Sequence, residues 1–164
     1  MINPDFYNSY IDRVRDRNPI DTLEDQMNLT SDLLSGIDEE MGNYAYADGK
    51  WTLKELIGHL IDSERVFAYR TMRFARNDKT ELPGFEEDDY VAAADFSRRT
   101  MSDLAEELYL LRKSNLFLFK SFSEEELNRT GTANGGEVSV EALLYIIAGH
   151  ENHHIAVIKD RYLV

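Results

Sequence analysis

The stretch from Ser139 to Tyr162 reads SVEALLYIIAGHENHHIAVIKDRY, and its apolar residues recur at the period of an α-helix. Leu143, Ile147 and Ile158 fall along this long predicted helix. The same stretch contains three of the four histidines of the chain. Its length and period indicate a helix that belongs to a bundle, and other stretches of the chain supply the remaining helices.

Three other stretches show the same helical period. They run from about Pro19 to Met41, from Thr52 to Arg76 and from Ser97 to Phe122. The second opens with Thr52 and Glu55 at the spacing of a capping box. Four helices of this length predict an all-α fold, a four-helix bundle, within a single domain that spans residues 1–164.

Shorter segments complete the predicted fold. Pro4 to Arg17 predicts an extra short N-terminal helix, and Ser123 to Glu126, a second capping box, predicts a further turn or two of helix. The sequence Asn134-Gly135-Gly136 is a turn signal, so a small hairpin is expected between Gly131 and Val140.

The link from Asn77 to Phe96 is long and acidic, and it contains Pro83-Gly84. Structureless links of this length are uncommon within a compact domain. Two compatible explanations remain open. In the first, the link crosses the length of the bundle and makes the second and third helices parallel. In the second, which can hold together with the first, it partly covers the mouth of a site.

Composition excludes several classes of function. The net charge of −13 leaves no positive surface for nucleic acid or for an anionic membrane. The chain has no cysteine, which excludes disulfides, thiolate metal sites and cysteine nucleophiles. Its apolar stretches are broken by charge well short of a membrane span, and its first residues lack the pattern of a signal peptide. We therefore expect a cytoplasmic protein that acts on a small molecule.

The histidines are the candidate metal ligands. His150 and His154 are four residues apart, so on a helix they lie on one face, one turn above the other. His153 lies three residues after His150 and could replace His154, although we favour the pair His150 and His154. His59 lies in another predicted helix, and facing helices of a bundle can bring such side chains to one metal ion.

A site with three imidazoles and no thiolate suits a borderline divalent ion. Zn²⁺ and Ni²⁺ fit best, with Fe²⁺ and Mn²⁺ as alternatives. Three protein ligands leave a coordination position open, which is the catalytic pattern. Glu151 and His154 also form a Glu-x-x-His motif of the di-iron bundles, but the second motif and the further carboxylates that such a site requires are missing.

Residues around the predicted triad are assigned from spacing. Asp62, three residues after His59, could orient an imidazole or act as a catalytic general base. Arg161, seven residues after His154, could bind an anionic group of the substrate. His153 would flank the site or contact one of the ligating side chains.

Two stretches resemble one known family. The sequence from Gly49 to Asp62, GKWTLKELIGHLID, resembles the second-helix signature of the DinB-like (YfiT-like) superfamily, and Ala148 to His154, AGHENHH, resembles its last-helix signature. Leu82 to Phe85 and Gly131 to Gly135 resemble one branch of the group, so the resemblance extends over essentially the whole chain.

The resemblance implies an up-down-down-up four-helix bundle, often in a homodimer. It places the metal triad of the family on His59, His150 and His154. Members of the family resemble metal-dependent hydrolases, or use a low-molecular-weight thiol as a co-substrate in S-transfer or isomerisation. The resemblance therefore implies a metal-dependent hydrolase or a thiol S-transferase. The alternative is a non-catalytic, metal-stabilised dimeric protein for binding or stress response, which would have a fourth protein ligand or a sealed site.

Overall fold

The computed structural model describes residues 1–163, and its architecture is a bundle of four long helices. A 3₁₀ turn, Asp5–Tyr7, precedes the first helix. The helices are α1 (Asn8–Ile11), α2 (Pro19–Ser35), α3 (Glu39–Gly42), α4 (Leu53–Ala75), α5 (Glu87–Ala94), α6 (Met101–Lys120), α7 (Glu124–Asn128) and α8 (Val140–Val157). The long helices α2, α4, α6 and α8 form the bundle, which confirms the predicted fold class.

Side chains at the helix N-termini explain where the long helices begin. Asn18 accepts hydrogen bonds from the first backbone N–H groups of α2. Thr52 and Glu55 form the predicted capping box of α4. The hydroxyl groups of Thr100 and Ser139 each accept a hydrogen bond from a backbone N–H in the first turn of α6 and α8, respectively. Each cap satisfies a backbone donor that would otherwise have no partner in the first turn.

α4 and α6 run parallel, as the crossover explanation of the long link requires. Glu39 accepts a hydrogen bond from the backbone N–H of Met101 at 2.7 Å and pairs with the ammonium group of Lys54, also at 2.7 Å. Lys54 and Met101 stand at the N-termini of α4 and α6, so both helices start at the same end of the bundle.

The other two long helices run the opposite way. In α2, Gln26 donates to the carbonyl of Ala148 at 2.8 Å, and Thr30 donates to Glu151 at 2.5 Å. Residue numbers increase in the same direction in both helices, so α2 and α8 are parallel. His59, near the start of α4, meets the second half of α8, so these two helices are antiparallel. The topology is therefore up-down-down-up, as the resemblance implies.

Several predicted element boundaries differ from the structure. The first long helix ends at Ser35, and a separate short helix, Glu39–Gly42, begins where the side chain of Asp38 caps it. Only Asn8–Ile11 of the predicted N-terminal segment is α-helical. The link from Asn77 to Phe96 contains α5, which begins three residues after Gly84.

The predicted hairpin is present. β1 (Thr130–Ala133) pairs antiparallel with β2 (Gly136–Ser139) across the turn at Asn134 and Gly135. Both turn residues have positive φ, as a tight two-residue hairpin requires. Leu82 forms a bridge with Ala133, which attaches the start of the long link to the hairpin.

A buried layer of charge separates two apolar clusters in the bundle. One cluster gathers residues such as Phe74 and Leu143, and the other gathers Leu53 and Ile158. Between them, Arg112 of α6 binds both carboxylate oxygens of Glu64 at 2.8 and 2.9 Å.

The same guanidinium also joins α8 to the layer. Arg112 donates to Glu151 at 2.5 Å, and Thr30 of α2 donates to the other oxygen of that carboxylate. Asn115 donates to Glu64 at 3.0 Å. All four long helices therefore meet in one hydrogen-bonded network. Glu151 is a member of this network, which agrees with its exclusion as a di-iron ligand.

Within residues 1–163, no helix is long and apolar enough to cross a bilayer.

The close approach of α1 to α8 gives a first prediction. A Cβ on Gly149 would overlap the backbone carbonyl of Tyr10, which cannot move as a flexible side chain can. We expect Gly149→Ala to lower the free energy of unfolding by about 1 to 3 kcal/mol in urea denaturation. Gly36→Ala is the control, since its nearest atom would lie 3.8 Å away, and it should change stability by less than about 1 kcal/mol. Equal effects of the two substitutions would contradict the close approach.

The buried charge layer gives a second prediction. Arg112→Met leaves two buried carboxylates without their cation, so we expect a loss of about 3 to 5 kcal/mol in the free energy of unfolding. Arg65→Met, which breaks a partly exposed ion pair with Glu107, should cost less than about 1 kcal/mol. Combining Arg112→Met with Glu64→Gln and Glu151→Gln should recover much of the loss. A loss below 1 kcal/mol for Arg112→Met alone would show that the layer contributes little.

Candidate metal centre

Three of the four histidines meet between α4 and α8. His59, His150 and His154 each offer one ring nitrogen, and these atoms all lie within 4.8 Å of one another. The Nε2 atoms of His59 and His150 are 3.0 Å apart. The antiparallel packing of the two helices brings together residues that are 91 positions apart in the chain.

Burial determines the charge of these rings. It lowers the pKa of His59 to about 4 and that of His154 to about 3. The pKa of His150 is also lowered well below its usual value, by burial first and then by the neighbouring histidines. All three imidazoles are therefore neutral at pH 7, and each retains the nitrogen lone pair that a metal ion requires.

One buried nitrogen has no protein partner. Among the residues that the structure describes, Nδ1 of His154 neither donates nor accepts a hydrogen bond, although it is inaccessible to solvent. A buried polar atom without a partner is costly and calls for a specific explanation. Three converging neutral imidazoles with an unpartnered nitrogen are a donor set that fits a borderline divalent ion.

Neighbouring side chains hold the rings in place. Ser63, one turn after His59, lies 3.4 Å from the Nδ1 atom of His59. The ring of Trp51 packs against His59 at 4.9 Å between centroids. Tyr10 of α1 packs edge-on against His150 at 5.3 Å. The short N-terminal helix thus covers one side of the cluster.

His153 lies beside the cluster. Its ring packs against those of Tyr10, at 5.7 Å, and His154, at 4.9 Å. It is half-buried, whereas His59 and His150 are buried. The group of converging nitrogens comprises His59, His150 and His154, and His153 flanks it.

Among the described residues, Asp62 forms no hydrogen bond with His59. Its carboxylate lies 3.6 Å from Arg65, and Glu107 binds the same guanidinium. The pKa of Asp62 is raised by burial, against the opposing charge of Arg65. Ser63 takes the expected position because residues four apart on a helix are offset by about 40°, whereas residues three apart are offset by about 60° in the other direction.

Arg161 is also displaced from its expected position. Ile158–Tyr162 forms a π-helical turn, closed by a hydrogen bond from Leu163 to the carbonyl of Ile158 at 3.1 Å. Within this turn Arg161 is exposed and Tyr162 is buried. The hydroxyl of Tyr162 donates to the backbone carbonyl of Trp51 at 2.6 Å.

A cavity of about 330 Å³ opens beside the cluster. Two histidines, His153 and His154, lie in its wall, and α5 contributes the carboxylates of Glu87 and Asp88. The remaining lining residues are Tyr46, Gly49, Lys50, Trp51, Leu56, Val157 and Tyr162. The acidic link therefore covers part of the mouth of the site, which was one of its two predicted roles. The sequence did not single out Glu87 and Asp88, since their neighbours along the link are also acidic.

The neutral buried imidazoles give a third prediction, for the metal-free protein. Unfolded histidines bind protons near pH 6.5, whereas His59 and His154 remain neutral until about pH 4 and 3. Protons therefore favour the unfolded state as the pH falls from 6.5 towards 4. At pH 5 the loss is on the order of 1 to 2 kcal/mol for each histidine.

Urea unfolding of the metal-free protein at pH 7.5 and pH 5 measures this loss. His154→Gln removes one of the three groups, so its stability should fall less between the two pH values. A fall as large as that of the unsubstituted protein would contradict the assigned burial of His154.

Curated relatives align with most of the chain. A protein of Oceanobacillus iheyensis named "Putative metal-dependent hydrolase OB0413" is 24% identical over 139 residues, which cover 84% of this chain and 79% of that protein. A protein of Geobacillus kaustophilus named "Putative metal-dependent hydrolase GK0616" is 29% identical over 133 residues, which cover 78% of this chain and 75% of that protein.

Solved structures and a family model agree on the fold. YfiT from Bacillus subtilis, described as "a probable metal-dependent hydrolase with an unusual four-helix bundle topology", superposes with a TM-score of 0.74 at 20% identity, over 87% of this chain and 82% of that one. The DinB-like protein YjoA from Bacillus subtilis gives a TM-score of 0.63 at 21% identity, over 86% of both chains. The model of the DinB superfamily matches residues 22–158. The protein therefore belongs to the DinB superfamily.

Proposed function

We propose that this protein is a metal-dependent hydrolase whose divalent ion is held by His59, His150 and His154. The observation that carries the proposal is the convergence of three neutral ring nitrogens within 4.8 Å, beside an open cavity. The names of the two relatives point to the same class of reaction.

The donor set favours Zn²⁺ or Ni²⁺. Imidazole nitrogen suits both ions, and the cluster offers no thiolate to select a softer metal. Its three ligands leave one coordination position for water or substrate. His59, His150 and His154 would hold the ion, which would supply Lewis-acid chemistry and lower the pKa of water towards neutral pH.

The protein's own residues orient the ligating imidazoles and accept the proton of the attacking water. Ser63 holds the ring of His59 from the side of Nδ1, and Tyr10 and Trp51 exclude water from the rings. His153 presents a neutral imidazole to the cavity, where it can accept a proton from the attacking water. We assign this role to His153 because Asp62 is engaged by Arg65.

Two other functions remain as outcomes of the tests. Thiol S-transfer would use the same ligands with a low-molecular-weight thiol at the open position. A non-catalytic metal-stabilised protein would have a sealed site, and the cavity beside His154 counts against it. The homodimer implied by the resemblance stays a prediction, which the mass in solution would test.

A fourth prediction tests the metal ligands. Protein purified without a nickel column should contain about one Zn²⁺ or Ni²⁺ per chain, measured by inductively coupled plasma mass spectrometry. His150→Gln should lose both the metal and the activity, because two imidazoles bind a divalent ion much more weakly than three. His153→Gln is the matched control for metal content. It should retain the metal and lose activity. Retention of the metal by His150→Gln would overturn the ligand assignment.

Activity assays separate the reactions. The metal-loaded protein is tested on a panel of esters and amides, and in parallel on a low-molecular-weight thiol with an electrophile. Hydrolysis that disappears in His150→Gln supports the proposal. Turnover only in the presence of the thiol would assign S-transfer instead, and no turnover in a protein with bound metal would favour the non-catalytic alternative.

A further inference from the structure

The cavity beside the histidines has an unusual combination of walls. One part is aromatic and is formed by Tyr46, Trp51 and Tyr162. Another part is acidic and is formed by Glu87 and Asp88, at the start of α5. Together these walls have the chemistry that recognises an organic cation.

The aromatic part is held rigidly. The hydroxyl of Tyr162 donates to the backbone carbonyl of Trp51 at 2.6 Å, which ties the end of α8 to the start of α4. The ring of Tyr46 packs perpendicular to that of Tyr162, with 5.1 Å between centroids. Aromatic faces fixed in this way attract ammonium groups through the ring quadrupole, and tryptophan does so most strongly.

The acidic part is not neutralised by ion pairs. Within residues 1–163, neither Glu87 nor Asp88 has an arginine, lysine or histidine partner at ion-pair distance. Lys50 is the one cation among the lining residues, so the charged side chains give the wall a net charge of −1.

We propose that this cavity binds the ammonium group of a cationic substrate, between its aromatic rings and the carboxylates of Glu87 and Asp88. That the ligand is a substrate rests on the proposed hydrolase function, whereas binding of the cation does not. The inference narrows the substrate class to amine-bearing or quaternary-ammonium esters and amides. Thiols that carry carboxylates would be repelled by the same wall.

A metal ion bound to the histidines would also act on a cation in the cavity. Its positive charge would repel an ammonium group, so the attraction of the carboxylates and aromatic faces has to exceed this repulsion. Binding should therefore be observed with both metal-free and zinc-loaded protein, and it should be tighter without the metal.

Trp51 provides a direct probe, because it is the single tryptophan of the chain. The experiment titrates its fluorescence with choline and with 3,3-dimethylbutan-1-ol, which has the same shape and no charge. A saturable change with choline, at concentrations at which the alcohol has little effect, is the expected result. Equal responses to the two compounds would overturn the proposal, because shape alone would then explain binding.

Charge variants test the carboxylates in the same titration. Glu87→Gln and Asp88→Asn should each weaken choline binding by at least about fivefold. Asp89→Asn is the matched control, since it removes one charge from the same turn of α5 but does not line the cavity. Equal effects of Asp88→Asn and Asp89→Asn would overturn the proposal, as would loss of bound metal in Asp88→Asn.

The outcome is separable from that of the hydrolase proposal. His150→Gln should still bind choline, because that residue does not line the cavity. Choline binding without hydrolysis of any ester would support the cation site and refute the hydrolase. If hydrolysis occurs, acetylcholine should have a lower KM than 3,3-dimethylbutyl acetate, and the reverse order would overturn the cation site alone.

Discussion

A single buried guanidinium connects the four long helices, and the position of the histidine cluster depends on it. Arg112 is shared between Glu64 of α4 and Glu151 of α8, while Thr30 of α2 completes the network. Buried carboxylates are stable in such a place only with a cation and hydrogen bonds that satisfy their oxygens. The helices therefore cannot slide past one another without leaving a charge unpaired.

This constraint sets the register of the histidines. Glu151 follows His150 directly in the chain, and Glu64 lies five residues after His59. Once Arg112 fixes both carboxylates, the relative positions of α4 and α8 are determined at the level of the imidazoles. The charge layer thus joins α4 and α8 directly beside the neutral, buried rings.

Local patterns predicted the elements of this fold but not every side-chain direction. Thr52 and Glu55 marked the start of α4, and Asn134 with Gly135 marked the hairpin turn, because capping and tight turns depend on residues close in sequence. Asp62 and Arg161 were assigned from ideal helical spacing. Asp62 pairs with Arg65, and Arg161 is exposed in a π-helical turn that regular helical spacing does not predict.

The sequence by itself determined the four amphipathic helices, their caps and the His150–His154 pair, since each of these arises from neighbours within a few turns. The predicted bundle offered His59 as the third member, and the resemblance to a known family favoured His154 over His153. Only the tertiary structure decided that His59 meets that pair, that Arg112 neutralises Glu64 and Glu151, and that Glu87 and Asp88 face the cavity. The physical reason is that such contacts depend on how helices distant in sequence pack, and helical period alone does not specify that packing.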